Sequence, residues 1–109
     1  MGLGEKITAP TEAEVIECSG LTIYPGMIDG GTTIGLSEVG AVSLTQDADE
    51  LGELTPHVQA LTAVNPNSVL IPVTRVNGVT TVLTQPRGGR FPGTAALINL
   101  VGYTPEQMY

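Results

Sequence analysis

The residues able to do chemistry in this chain are few. His57 is the only histidine and Cys18 the only cysteine. Brought together by the fold, they would make a thiolate–imidazole pair for nucleophilic catalysis. Cys18 lies in a strand-like run, however, where a small buried core residue is the expected role. His57 follows Thr55-Pro56 and is expected as a surface or interface residue rather than a lone metal ligand or base. Asp47, Asp49, Glu50 and Glu53 crowd one segment and suggest a Ca²⁺ loop. The segment has no glycine at the sixth loop position and no glutamate at the twelfth, so a solvated acidic loop is expected instead. Gly88-Gly89-Arg90-Phe91-Pro92-Gly93 offers backbone N–H groups to an anion. It has no Walker spacing and no lysine, and a mobile loop is the default. Arg87 and Arg90 would suit a substrate carboxylate in a complete enzyme.

Composition narrows the classes. The 109 residues suit one small domain. Apolar residues make up 41% but aromatics only 4%, with Phe91 the single phenylalanine and no tryptophan. The core must therefore be built from Val, Ile, Leu and Ala, which favours strands over long helices. The formal net charge is −7, and only Lys6, Arg75, Arg87 and Arg90 are basic. Four scattered cations cannot neutralise a run of phosphates, so no nucleic-acid partner is expected. An anionic membrane surface is disfavoured for the same reason, and no apolar window is long enough for a span. One cysteine allows no intrachain disulfide. The first ten residues have no apolar h-region and do not read as a signal peptide.

Several elements must position these groups. Residues 1–12 are polar and Gly-rich, a loose lead-in. Residues 14–19 and 21–24 alternate and predict two short strands joined at Ser19-Gly20. Pro25-Gly26 punctuates the chain, and Met27-Ile28 opens a buried strand. Residues 35–54 are irregular, with a short strand over 39–44 and an acidic surface stretch over 46–53. Thr55-Pro56 announces a two-turn helix over 57–63. A second helix is predicted from Ser68 to the stop at Asn77-Gly78, with Pro72 poorly tolerated near its first turn. Residues 79–84 form the clearest strand and 95–100 another. Thr104-Pro105-Glu106-Gln107 is a capping box with proline at the first helical position. The sequence stops two residues later, and a single turn is unstable without tertiary support. That pattern reads as truncated; the alternative is a last half-turn packed down through Met108 and Tyr109.

Tyr24-Pro25-Gly26-Met27-Ile28-Asp29-Gly30-Gly31-Thr32-Thr33-Ile34-Gly35 resembles the first barrel strand of the amidohydrolase superfamily. That pattern is Pro-Gly-hydrophobic-hydrophobic-Asp-x-His-x-His. The resemblance extends over nearly the whole chain. Residues 11–24 are similar to the last strands of the small β-sandwich that precedes the barrel. Residues 47–64 are similar to the linker after the first strand, and residues 65–84 to the first barrel helix and second strand. Residues 88–100 are similar to the Gly-rich excursion of imidazolonepropionase-like members. The resemblance implies an α/β fold: residues 1–24 as the tail of the sandwich, residues 25–109 as the truncated start of a (β/α) barrel. It also implies a metal-activated water attacking an amide, lactam or ester carbon.

The family's two first-strand histidines fall here on Gly31 and Thr33. Glycine offers no donor, and threonine is a poor zinc ligand. Asp29 matches the family aspartate and is expected to tie the strand end by hydrogen bonds. No catalytic, cofactor-binding or metal-binding residue carries over, and no cofactor is expected. The resemblance implies a hydrolase fragment, inactive alone; the alternative is a non-catalytic structural or binding module. A partial barrel leaves strand edges and an apolar face open, so a homo-oligomer is expected.

Overall fold

Residues 79–84 carry five β-branched side chains in six positions, a composition suited to a half-buried pleat. In a computed structural model they form the central strand of a three-stranded sheet. The structure describes Gly4 and residues 7–109. In chain order the elements are β1 (Met27–Thr32), a 3₁₀ turn (Ser43–Thr45), α1 (Ala60–Ala63), α2 (Leu70–Val76), β2 (Val79–Thr84), β3 (Ala96–Asn99) and α3 (Pro105–Met108). The fold is mixed α/β, with strand order β1-β2-β3. β1 and β2 are parallel and joined through α2, whereas β3 returns antiparallel to β2.

The core lies against β2 and β3. Val82 faces Ile98 across the antiparallel pair, and both are wholly buried. Leu36, Ile71, Leu100 and Met108 close around them. Thr84 is buried too, and its hydroxyl donates to the Ile34 carbonyl at 2.8 Å, so the polar group is satisfied. Thr81 and Asn99 form a register pair joined by a side-chain hydrogen bond of 3.1 Å.

The helix predicted from Ser68 to Gly78 is present as α2, with Pro72 in its first turn, where its missing N–H is tolerated. Gly78 ends it at φ 90°, a conformation that costs glycine little. Arg75 reaches from α2 to donate to the Leu100 carbonyl at 3.0 Å. At the far end, Thr104 caps α3 by accepting from the Gln107 N–H at 3.3 Å. The Gln107 side chain accepts from Tyr103 N–H at 2.9 Å, one residue earlier than a capping box requires. Of the two residues expected to pack this turn, Met108 is fully buried and Tyr109 is exposed.

Five expectations are corrected. Residues 14–24 keep the turn, with Leu21 N–H donating to the Cys18 carbonyl at 2.9 Å, but form no strands. Alternation supplies a face, and a strand also needs a partner edge. Cys18 is half-buried rather than a core residue. β1 forms where expected but is not buried: Met27 is 56% and Ile28 69% exposed, because no layer covers this end of the sheet. Residues 39–44 turn into the 3₁₀ element, held by the Thr45 hydroxyl on the Val39 and Val42 carbonyls. The helix expected over 57–63 shrinks to α1. Thr55 spends its hydroxyl on the Phe91 carbonyl, 3.1 Å away, instead of capping. The lead-in read over residues 1–12 lies partly outside the described residues.

Candidate functional site

The C-terminal ends of β1 and β2 lie side by side, with Thr32 in register with Thr84. Here the Gln85 N–H donates to the Thr32 carbonyl at 2.9 Å, binding the two strand ends together. The Asp29 carboxylate accepts from the Gly31 N–H at 3.0 Å, a local turn that uses the carboxylate for backbone geometry. The Thr32 hydroxyl accepts from Ile34 N–H at 3.3 Å. The Thr33 carbonyl accepts from Leu36 and Ser37 at 2.9 and 3.2 Å and turns the chain out of the strand. Gly31 is exposed and Thr33 half-buried. A Cβ built on Gly31 would lie 3.4 Å from Gln85 Nε2. The groups gathered at this sheet end are thus an amide, hydroxyls and one carboxylate already engaged with backbone. Among the described residues, no three of His, Cys, Asp and Glu cluster closely enough to hold a metal ion. Zinc prefers imidazole, thiolate or carboxylate, and a hydroxyl and an amide do not replace them.

The other sequence candidates fall elsewhere. His57 is exposed in the turn before α1, and no hydrogen bond joins it to the half-buried Cys18. Asp47, Asp49, Glu50 and Glu53 are exposed, as expected of a solvated segment, with Ala48 buried among them. The Gly-rich segment 88–93 is not a free loop. Residues 48–58 and 87–94 run parallel and are zipped by main-chain hydrogen bonds. Arg90 and Phe91 N–H both donate to the Glu53 carbonyl, at 2.8 and 3.1 Å. Thr55 N–H donates back to the Phe91 carbonyl at 2.8 Å, Thr94 N–H to Val58 at 2.8 Å, and Ala60 N–H to Thr94 at 2.9 Å. The amides of Arg90 and Phe91 are therefore committed inside the chain and cannot cradle an anion. Arg90 also approaches Glu53 at 3.7 Å, an exposed pair that contributes little.

Sequence reasoning missed Glu38. Its two oxygens accept from Asn65 Nδ2 at 3.2 Å and from the Ser68 hydroxyl at 2.9 Å, clasping the segment after β1 to the entry of α2. Asn65 and Ser68 look like local capping residues in the sequence. Nothing there signals a partner almost thirty positions away. Two carboxyls lie below the usual range. Glu17 is lowered by the side chain and then the backbone N–H of Ser19. Glu106 is lowered by its own backbone N–H and then the Thr104 hydroxyl at the start of α3. Both are turn and cap contacts, remote in kind from acid–base catalysis.

No family model matches the chain, and no curated protein does. Among solved structures it is similar to an amidohydrolase from Thermotoga maritima MSB8, with a TM-score of 0.88 and 31% sequence identity. That likeness covers 98% of this chain and 28% of the amidohydrolase, so the chain spans under a third of its neighbour's length. Among the described residues no helix is long and apolar enough to cross a membrane. The mixed α/β fold with its three-stranded sheet is thus similar, in sequence and in structure, to part of an amidohydrolase chain.

Proposed function

We propose that this chain is a non-catalytic portion of an amidohydrolase-like fold, derived from enzymes that hydrolyse carbon–nitrogen bonds other than peptide bonds. Residues 1–24 correspond to the tail of a β-sandwich and residues 25–109 to the first part of a (β/α) barrel of the imidazolonepropionase-like type. One observation carries this: a parallel β1-α2-β2 unit whose strand ends present Gly31 and Thr33 where the resemblance calls for histidines. Hydrolysis in such a barrel depends on metal-bound water formed at the C-terminal strand ends. Without those ligands the chain alone has no means to make that nucleophile.

The expected result is no turnover of amide, lactam or ester substrates above the buffer rate, with or without added zinc. Metal-dependent hydrolysis by the purified chain, lost on removing the metal with a chelator, would overturn the proposal. A second reading makes the chain a self-associating structural or binding module. The exposed apolar residues from Val15 to Tyr24, which lie in no strand, favour it. The coding DNA around the chain separates the two: continued reading frame with histidine-bearing barrel strands supports the fragment, and a stop after Tyr109 in several sources supports the module.

A further inference from the structure

We propose that Asn77-Gly78, at the join between α2 and β2, is a site of self-modification. The Asn77 side-chain amide is lost by ring closure onto the Gly78 nitrogen, and the folded end of α2 holds the reaction back until it opens. The inference is independent of the hydrolase reading above. The contacts that set it are made by Met27 and residues 73–78, in the interior of the chain.

Asparagine stands at positions 65, 67, 77 and 99, and the residue that follows separates them. Asn65 precedes Pro66, which has no N–H to give up. Asn67 precedes Ser68 and Asn99 precedes Leu100, and both followers are buried. Their nitrogens are held by the Asn65 carbonyl at 3.1 Å and the Thr80 carbonyl at 2.8 Å. Only Asn77 precedes glycine, which has no side chain to hinder attack and leaves the backbone free to rotate. Asn77 and Gly78 are both exposed, so water reaches them.

The step balances with water alone. Hydroxide takes the Gly78 amide proton, and the nitrogen attacks Asn77 Cγ. The Cγ–Nδ2 bond breaks, and ammonia leaves with a proton returned from water. One water then opens the five-membered imide at either of its carbonyls. The product is aspartate or its isomer linked through the side-chain carboxyl, in both cases one mass unit heavier than the asparagine. No oxidant or reductant is involved.

The native geometry withholds this reaction. Asn77 has ψ 7°, so its own nitrogen eclipses the Gly78 nitrogen about the Cα–C bond, and its Cβ is swung away. The imide ring needs Cβ in that eclipsed place. Asn77 Nδ2 donates to the Val73 carbonyl at 2.8 Å, and the Gly78 N–H donates to the Arg75 carbonyl at 2.9 Å. The last turn of α2 must therefore open before the nitrogen and Cγ can meet, and such ends open more readily than a sheet core. Once formed, the product does not refit. A carboxylate in place of the amide has no proton for the Val73 carbonyl and sets two acceptors face to face. The isomer adds a carbon to the backbone just before Gly78, whose carbonyl accepts the Met27 N–H at 2.9 Å where β1 starts. The modification thus loosens the β1-α2-β2 unit at its turn.

The test follows the full chain in mildly alkaline buffer, folded and in guanidinium chloride, by intact mass and peptide mapping. In denaturant Asn77 is expected to lose its amide before Asn65, Asn67 and Asn99. The folded chain should do so at least about tenfold more slowly. Equal rates in the two states would remove the gate. Earlier loss at another asparagine would overturn the site, as would a Gly78→Ala chain that loses the Asn77 amide at an unchanged rate in denaturant. Asn77→Asp stands for the product. By hydrogen exchange its Gly78 amide should exchange at least about fivefold faster than in the unaltered chain, with β3 unchanged. An unchanged Gly78 amide would overturn the loosening. The mass comparison on the unaltered chain decides the site and its gate even where Asn77→Asp fails to fold.

Discussion

Ile98→Ala is expected to bring this chain close to unfolding at room temperature. Ile98 is wholly buried and lies directly across from Val82, itself wholly buried, at the centre of the sheet. Truncation removes three carbons from a site whose walls are backbone-paired strands, so the cavity cannot collapse, and such changes cost about 2–5 kcal/mol. The described core has ten buried apolar residues, three of them alanines, and no aromatic ring among them. Few neighbours are left to share the loss, and a domain of this size has on the order of 5–15 kcal/mol in total. Ile98→Val keeps the branch and should cost only about 0.5–1.5 kcal/mol. Urea denaturation followed by circular dichroism reads both. Equal midpoints for the two variants would place Ile98 outside the core.

Gly93→Ala is expected to unzip the paired segments 48–58 and 87–94. Gly93 has φ 124°, and a Cβ there would lie 2.5 Å from the Val58 carbonyl oxygen. That oxygen accepts the Thr94 N–H at 2.8 Å, so the new methyl group collides with the acceptor of the adjacent zipper bond. The backbone strain alone is worth about 1–3 kcal/mol. Hydrogen exchange should show faster amides at Thr94 and Ala60 and unchanged ones in β2. Gly30→Ala is the matched control, because nothing lies within 4 Å of its Cβ position. If both variants behave alike, the zipper does not depend on Gly93.

The two expectations differ in how visible they were in the sequence. β2, β3 and α2 are written in local pattern: β-branched runs, and Asn77-Gly78 as a stop. The alternation of Ala96, Ile98 and Leu100 marks the buried face of β3. The zipper left no mark, because every residue but proline offers the same main-chain donor and acceptor. The order of 48–58 depends on segment 87–94, about forty positions downstream. The exposure of β1 was illegible for another reason. Met27 and Ile28 have the composition of a buried strand, but burial is a property of what covers them. The same holds for residues 14–24, whose alternation describes one face of a pairing that no described part of the chain completes.

The candidate site shows the opposite balance. Gly31, Thr33 and Asp29 were singled out by the resemblance to the amidohydrolase first-strand pattern, and the structure puts Asp29 and Gly31 in β1, parallel to β2, with Thr33 just past its end. Asp29 there bonds the Gly31 N–H, the strand-end tie that the sequence suggested. The Glu38 clasp and the committed amides of the Gly-rich segment were not legible, since both depend on contacts between distant segments.

Calorimetric titration of zinc into the full chain tests most directly whether an amidohydrolase-like sheet end has lost its metal. With Gly31 and Thr33 standing where the resemblance calls for histidines, heats indistinguishable from dilution are expected, with no stoichiometric binding. One zinc per chain, bound tightly and released by a chelator, would contradict the account.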